Sequence, residues 1–481
     1  MARHLPDMCF VLITLLALLL KLSEPPRPAE TPAGLCGFLQ TPPPAPITTH
    51  TVTLTVMTQA NYPDCWHTFT PAKAAPQVQN YAIRIVAKPV NALYSVYIAR
   101  LEQIARLHNA PDIVYLNQPD LRAWAERGRL ISLDQCRSQY SEFADVEPSA
   151  WASAGWQGRT WGVPVVRELA ILYYSKLKLR EMGWPPIRIN EFPGKIQRGE
   201  ITLDNLLAIA EDAVAQHVVE PGDAFWADVN QGSTFLLTYK SFGGPLYDAQ
   251  QDRLLINQES LTNTYRFYHQ LVDHQLMPRT FAQPNLARFP SFSIWHSALA
   301  QGRVLFWQAS TKYYDSMLRA ILAPNPVGFL HERIGAAFYP AGRIGESAQA
   351  MEQGSEFYAV TADAVAANLA NGRKQAACAL LAKTLRPEIH AYNAILNGNL
   401  GVIQSQREQL VFAVDHPFRA TILPYHQAAW SQPPHPQFGE YLSILLEFML
   451  QSGRGEISPE QAATRAISTL QNQLGDSVQV R

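Results

Sequence analysis

A strand, a long amphipathic helix and a second strand follow one another between residues 81 and 116, and this order leaves few folds open. Just before it, Val52, Leu54 and Val56 alternate with Thr51, Thr53 and Thr55, the two-residue period of a strand with one buried face. Residues 81–87 have the same β-branched character. Residues 91–107 then carry Leu93, Val96, Tyr97, Leu101, Ile104 and Leu107 at helical spacing, and a short apolar strand follows at 113–116. Parallel neighbouring strands need a crossover, so the succession predicts a parallel βαβ unit. Pro119 opens a further helix through Leu121, Trp124 and Ala125, and Gly128 stops it.

The same alternation continues. The pattern predicts a strand at 170–174, helices at 202–215, 260–274 and 292–301, and strands at 303–307 and 334–339. Helices at 361–385, 438–451 and 459–474 complete the chain, with Thr202 and Ser458 as N-caps. No internal repeat of fixed period is present. The fold class is α/β with strands mostly parallel, and 481 residues suit two or three lobes better than one domain. With 39 basic against 40 acidic residues there is no basic surplus, which argues against a nucleic-acid partner.

The N-terminus reads as a targeting segment, residues 1–23. Arg3 and His4 precede an apolar run over 9–20 that Lys21 ends. That run is short against the roughly 20 residues of a spanning helix and suits a signal-peptide core. Cleaved export and an uncleaved membrane anchor are both open. Residues 24–50 are dominated by proline, which favours extended chain and builds no core. They read as a stalk or as a leader without a role. Beyond Cys9, the cysteines Cys36, Cys65, Cys136 and Cys378 allow three pairings in an oxidising compartment, and their spacing shows no zinc pattern.

Several stretches resemble one family. Residues 110–116 (APDIVYL) with 128–134 (GRLISLD) resemble a first-lobe signature of the extracellular solute-binding proteins of ABC importers, family 1, whose best-known branch is the maltose-binding type. Residues 161–164 (WGVP) with 172–176 (LYYSK) look like the family's "YGVP…LYYNKD" crossover, and 181–186 (EMGWPP) is similar to "EAGLDPP". Residues 242–247 (FGGPLY), 300–306 (AQGRVLF) and 457–463 (ISPEQAA) resemble "GG-x-L", "G-K-x-A-M" and "SPEEAL". The pieces stand in family order from residue 50 onward. Ser175 replaces the usual asparagine and Trp161 the usual tyrosine, and residues 62–79 make a poor helix where the family has a good one.

The resemblance implies two α/β lobes joined by crossover strands, with a solute held in the cleft between them. It divides the chain into 51–164 with 308–355 as first lobe and 165–307 with 356–481 as second, with crossovers near 163–169, 307–310 and 355–358. Ligands of open α/β sheets lie beyond the carboxyl ends of strands. Candidates there are Thr58, Gln59, Asn117, Gln118, Arg167, Glu168, Gln308 and Ser310. A sugar also needs flat aromatic faces, and Trp226, Trp66 and Trp307 are the candidate platforms, each with core packing as its other reading. Trp124 and Trp295, at helical positions, read as core. Glu168 with Arg167 reads either as ligand-binding or as a hinge ion pair. Tyr173-Tyr174 and Tyr313-Tyr314 could suggest iron, but the resemblance makes the first pair structural, and no metal or other cofactor is expected.

The expected function is capture of a small solute, a mono- or oligosaccharide before a polyol, glycerol phosphate derivative or peptide, by a monomer that delivers it to ABC permease subunits outside the cytoplasm. A membrane-tethered solute sensor is the alternative, and a carbohydrate-active enzyme built on paired carboxylates stands behind it, since such a pair is set by tertiary geometry. Neither GxSxG, HExxH, a P-loop nor GxGxxG is present, so the sequence offers no motif for an enzyme.

Overall fold

A computed structural model describes residues 50–59, 77–78, 81–90, 94–227, 232–277, 298–321, 323–363, 372–396, 400–408, 417–433 and 435–481. The targeting segment, nearly all of the proline-rich stretch, Cys36, Cys65, Trp66 and Trp295 lie outside the described residues.

The opening strands form as their alternation demands. β1 (His50–Gln59) pairs in parallel with β3 (Tyr81–Val90), matching Val52 to Ile83 and Leu54 to Ile85, so one face of each strand enters the core. β2 (Gln77–Val78) flanks β3 on the outside. The helix Tyr94–Arg106 crosses over, burying Tyr97, Leu101 and Ala105, and returns the chain to β4 (Ile113–Asn117) on the far side of β1. The helix Gln118–Glu126 follows, with Leu121, Trp124 and Ala125 inward. A small hairpin, β5 (Gly155–Trp156) and β6 (Arg159–Thr160), turns through Gln157 and Gly158, both at positive φ. Two successive left-handed residues are what a two-residue hairpin loop needs, and glycine meets that need without strain.

β7 (Val163–Ser175) is the structural key. Its 13 residues span about 40 Å at strand rise, enough to pass from one core into another. Its first half pairs antiparallel with β13 (Met351–Val360), with register shifts at Glu352/Gly354 and Glu356/Phe357. Its second half pairs antiparallel with β11 (Phe306–Ser310) and β12 (Ile334–Ala337). β8 (Phe225–Ala227) lies parallel to β11 at the end of the path β2-β3-β1-β4-β13-β7-β11-β8, so one sheet runs through the molecule. A second, smaller sheet joins β9 (Tyr247–Asp248), β10 (Arg253–Ile256) and β14 (Val478–Val480).

Two hydrophobic cores pack on this frame. The first gathers Val52 to Val163, Phe357 to Leu385, and Val402 with Ile403. The second gathers Leu169 to Met351 and Ala391 to Val478. The architecture is α/β with two lobes, but two expectations need correcting. The strands are not mostly parallel: β7, β11, β12 and β13 run antiparallel, because strands joining the lobes directly need no helical crossover. The lobe boundary after residue 307 also falls elsewhere. Ala309, Tyr314, Leu330 and Met351 bury in the second core, and β13 then carries the chain back so that Phe357 to Val360 and Ala376 to Leu385 bury in the first.

The expected strand at 303–307 lies at Phe306–Ser310, and the helix expected over 361–385 is described at Arg373–Thr384. That helix and Asp134–Gln139 are joined by a disulfide between Cys136 and Cys378, 242 residues apart in sequence, inside the first core. Among the described residues, no helix is long and apolar enough to cross a membrane.

Candidate functional site

Where β7 and β13 pass between the lobes, a charge cluster is buried. Arg167 on β7 is fully buried, and its guanidinium donates to Glu147 Oε2 at 3.0 Å, Ser149 Oγ at 3.0 Å and Glu352 Oε2 at 3.3 Å. Glu352 also accepts from Ser153 and Ser431, and His426 Nδ1 stands 3.3 Å from the guanidinium. Glu147 and Ser153 come from the first lobe and His426 and Ser431 from the second, so the cluster ties both lobes to the crossing strands. Burial holds His426 below the ordinary histidine pKa, which leaves two carboxylates facing one cation at neutral pH.

Beside this hinge a cavity of about 1260 Å³ opens between the lobes. Its first-lobe wall is the helix Gln118–Glu126, presenting Gln118, Arg122 and Glu126 at four-residue spacing, together with the β5–β6 hairpin carrying Trp156. Its second-lobe wall includes Tyr247, Asp252, His435 and Phe438. Both walls are polar and aromatic, the composition of a site for a ring with hydroxyls. Trp156 is half-buried and tilts against Trp161, with ring centroids 6.3 Å apart. Opposite, burial and the hydrogen bond from its own hydroxyl to Asp252 Oδ1 push the Tyr247 phenol up to about 12.

Other polar groups on the walls are already engaged. Arg137 donates to Thr160 Oγ1 and lies 4.1 Å above the Trp151 ring. Burial would raise the Asp134 carboxyl, but hydrogen bonds from Ser132 and the Thr160 amide outweigh it and hold the group below its ordinary value.

The predicted site residues divide. Gln118 lines the cavity and donates to the Ser153 carbonyl. Asn117, next to it, caps the helix by accepting the Asp120 amide. Glu168 accepts from Ser310 Oγ at 2.8 Å and from Lys312 Nζ at 3.0 Å, so these three meet at the hinge as a bonded group. Thr58 and Gln59, at the end of β1, are buried.

Four further candidates are buried and held by protein contacts. Trp226 is 3% exposed, and its indole donates to the Gly222 carbonyl within the second core. Trp307 is wholly buried and stacks on Tyr173 at 5.5 Å, in the second core. Neither offers a face to a solute, because both strands are covered on each side and every residue in them is buried. Arg167 is enclosed by its own protein partners, and Gln308 is buried with its amide donating to the Thr234 carbonyl. Trp66 lies outside the described residues. Trp156 went unrecognised in the sequence, although it stands directly before a Gln-Gly hairpin turn, a signal that lifts a side chain to a loop tip.

Trp124 is core, as its helical position predicts. The tyrosine pair at Tyr173 and Tyr174 is buried in the second core. Among the described residues, no group of three or more His, Cys, Asp or Glu could hold a metal ion.

Two lobes threaded by antiparallel crossing strands, with a polar and aromatic cleft between them, are the frame on which the class of the protein rests. A family model described as bacterial extracellular solute-binding protein matches residues 83–409, and the chain belongs to that family. No curated protein sequence matches it. Among solved structures it is similar to the GacH receptor of Streptomyces glaucescens, determined unliganded and with acarbose, at 18% identity and a TM-score of 0.64, over 89% of this chain and 100% of that one. The cyclic α-maltosyl-1,6-maltose binding protein of Arthrobacter globiformis is 17% identical with a TM-score of 0.65, over 88% and 98%. The maltose complex of the periplasmic protein MalE from Listeria monocytogenes is 13% identical with a TM-score of 0.64, over 89% and 98%. These likenesses concern the fold, and family and fold are those of non-enzymatic solute-binding proteins of ABC transporters.

Proposed function

We propose that this chain is the capture component of an ABC importer and holds a carbohydrate in the interlobe cleft before passing it to the membrane permease. The observation that carries this reading is the pairing of Trp156 on one lobe with Tyr247 on the other across a cavity of about 1260 Å³. That volume exceeds the roughly 300–1,000 Å³ of most small-molecule pockets and suits a solute several rings long. A sugar ring stacked on Trp156 removes on the order of 100 Å² from water, about 2.5 kcal/mol. Hydroxyls bonded to Gln118 and its neighbours supply the rest of the roughly −8 kcal/mol of a micromolar complex. Glu168, Ser310 and Lys312 stand at the hinge, where they adjust as the lobes move.

Closure follows from the frame: β7 and β13 bend at the register shifts near Glu352 and Glu356, the lobes meet on the solute, and the permease reads the closed shape. The first lobe comprises residues 51–163 with 357–385 and 402–403, and the second 169–351 with 391–400 and 418–478. The protein works as a monomer outside the cytoplasm, exported by residues 1–23. The disulfide Cys136–Cys378 supports an oxidising compartment.

Thermal-shift screening against mono-, di- and trisaccharides, polyols and amino acids tests the substrate class, since melting rises with ligand concentration. Stabilisation by a carbohydrate, with compaction in small-angle scattering on its addition, is the expected result. A shift with a different solute class alone overturns the reading.

A further inference from the structure

Gln118, Arg122 and Glu126 share the helix face that looks into the cleft, while Leu121, Trp124 and Ala125 point into the first core. Arg122 differs from the other charges on the walls. Its side chain is half-buried, and its Nε is shut off from solvent without a hydrogen-bond partner among the described residues. No carboxylate among the described residues lies within ion-pair distance of it. Glu126, one turn on, acts on it through space. Arg137 and Asp134 on the same wall are bonded to protein groups, and Asp252 opposite accepts from Tyr247. Arg159, exposed on the hairpin beside Trp156, adds a second cation to the same rim.

A guanidinium keeps its charge at any physiological pH and presents five donors in a planar fork that matches a carboxylate or phosphate. Partial burial without a counter-charge is unfavourable, and an anion docked on the fork removes that cost. On the reading that a carbohydrate fills this cleft, we infer that the solute carries an anionic oxygen group, a carboxylate or a phosphate, and that Arg122 is the specificity-determining residue that receives it. The preferred substrate class is then an acidic saccharide, with its ring against Trp156 and its charge on Arg122. Arg159 sets the approach of the anion from solvent.

Titration calorimetry on the purified chain with matched pairs that differ only in charge tests this. The pairs are galactotriose with trigalacturonate, mannotriose with trimannuronate, and glucose with glucose 6-phosphate; the first two read a carboxylate and the third a phosphate. In at least one pair the acidic member binds ten-fold or more tightly than its neutral partner, and rising salt narrows the gap. Arg122→Gln weakens the acidic member at least ten-fold and the neutral one less than three-fold, while Arg122→Lys restores part of the difference. Circular dichroism and melting curves check that both variants are folded. Neutral members binding as tightly as acidic ones, or Arg122→Gln weakening both alike, overturns the inference and leaves the carbohydrate reading standing. Binding of no saccharide in any pair, together with capture of a non-sugar solute, overturns both.

Discussion

The hinge and the cleft wall each hold an arginine, and the two are opposites. Arg167 is fully buried and bonded to Glu147 and Ser149 of the first lobe and to Glu352 on β13. Arg122 is half-buried, in the cleft, with no ion-pair partner among the described residues. A paired, buried cation fixes geometry, and taking it away strands the carboxylates around it. An unpaired one at the edge of a cleft does little for the fold and is left for a ligand. The tryptophans divide the same way: Trp307 is packed against Tyr173 in the second core, whereas Trp156 sits half-exposed on a hairpin. The proposed function rests on the member of each pair that the fold has not consumed.

The hinge arginine offers the sharpest way to break this contrast. Arg167→Met leaves Glu147 and Glu352 buried without their cation, and a loss of about 3–5 kcal/mol in urea unfolding is expected. A loss under about 1 kcal/mol would mean that the cluster is wetter or looser than its burial indicates. Trp307→Ala comes next, with about 3–5 kcal/mol lost to an unfilled core site. It lowers the melting point before any change in ligand affinity.

Acid sharpens the same side of the comparison. Burial holds His390 at about 4, and His426 is also below the usual value. For both, the unfolded chain takes up its proton first as pH falls through about 6.5, so stability is full above that pH and declines toward the folded pKa. For His390 alone the decline between pH 7.5 and 4.5 is about 2–3 kcal/mol, read from melting curves across that range. A flat profile would show that neither imidazole is as dry as it looks. The smallest effect on the fold belongs to the cleft: Trp156→Ala costs under about 1 kcal/mol of stability yet weakens carbohydrate binding roughly fifty-fold in calorimetry, matching about 2.5 kcal/mol of lost stacking. Equal losses of stability for Trp156→Ala and Trp307→Ala would erase the contrast between cleft and core.

Much of the scaffold was legible in the residues. The Thr/Val alternation of β1, the apolar spacing of the helix Tyr94–Arg106 and the caps at Thr202 and Ser458 are local signals, and the structure carries each of them. The place of Gln118 on the cleft wall was legible as well, because a residue directly after a strand in a βαβ unit stands at the strand's carboxyl end. The tryptophan platforms were not. Trp226 and Trp156 each sit in a short extended stretch, and only the packing of a second layer over one strand face decides which ring meets solvent.

The sequence by itself determined an α/β chain of two lobes and the resemblance to exported binders, since periodicity, caps and motif order are properties of neighbouring residues. The tertiary structure decided what those properties leave open. Glu147 and Glu352 lie 20 and 185 positions from Arg167, so no local pattern could announce that this arginine was already neutralised. The return of β13 to the first lobe likewise depends on pairing with β4 and β7, distant in sequence. Charge pairing and burial act through space. Which side chains stay open to a cleft is what long-range contacts leave over, and among the described residues of this cleft these include the Arg122 guanidinium and the half-buried Trp156.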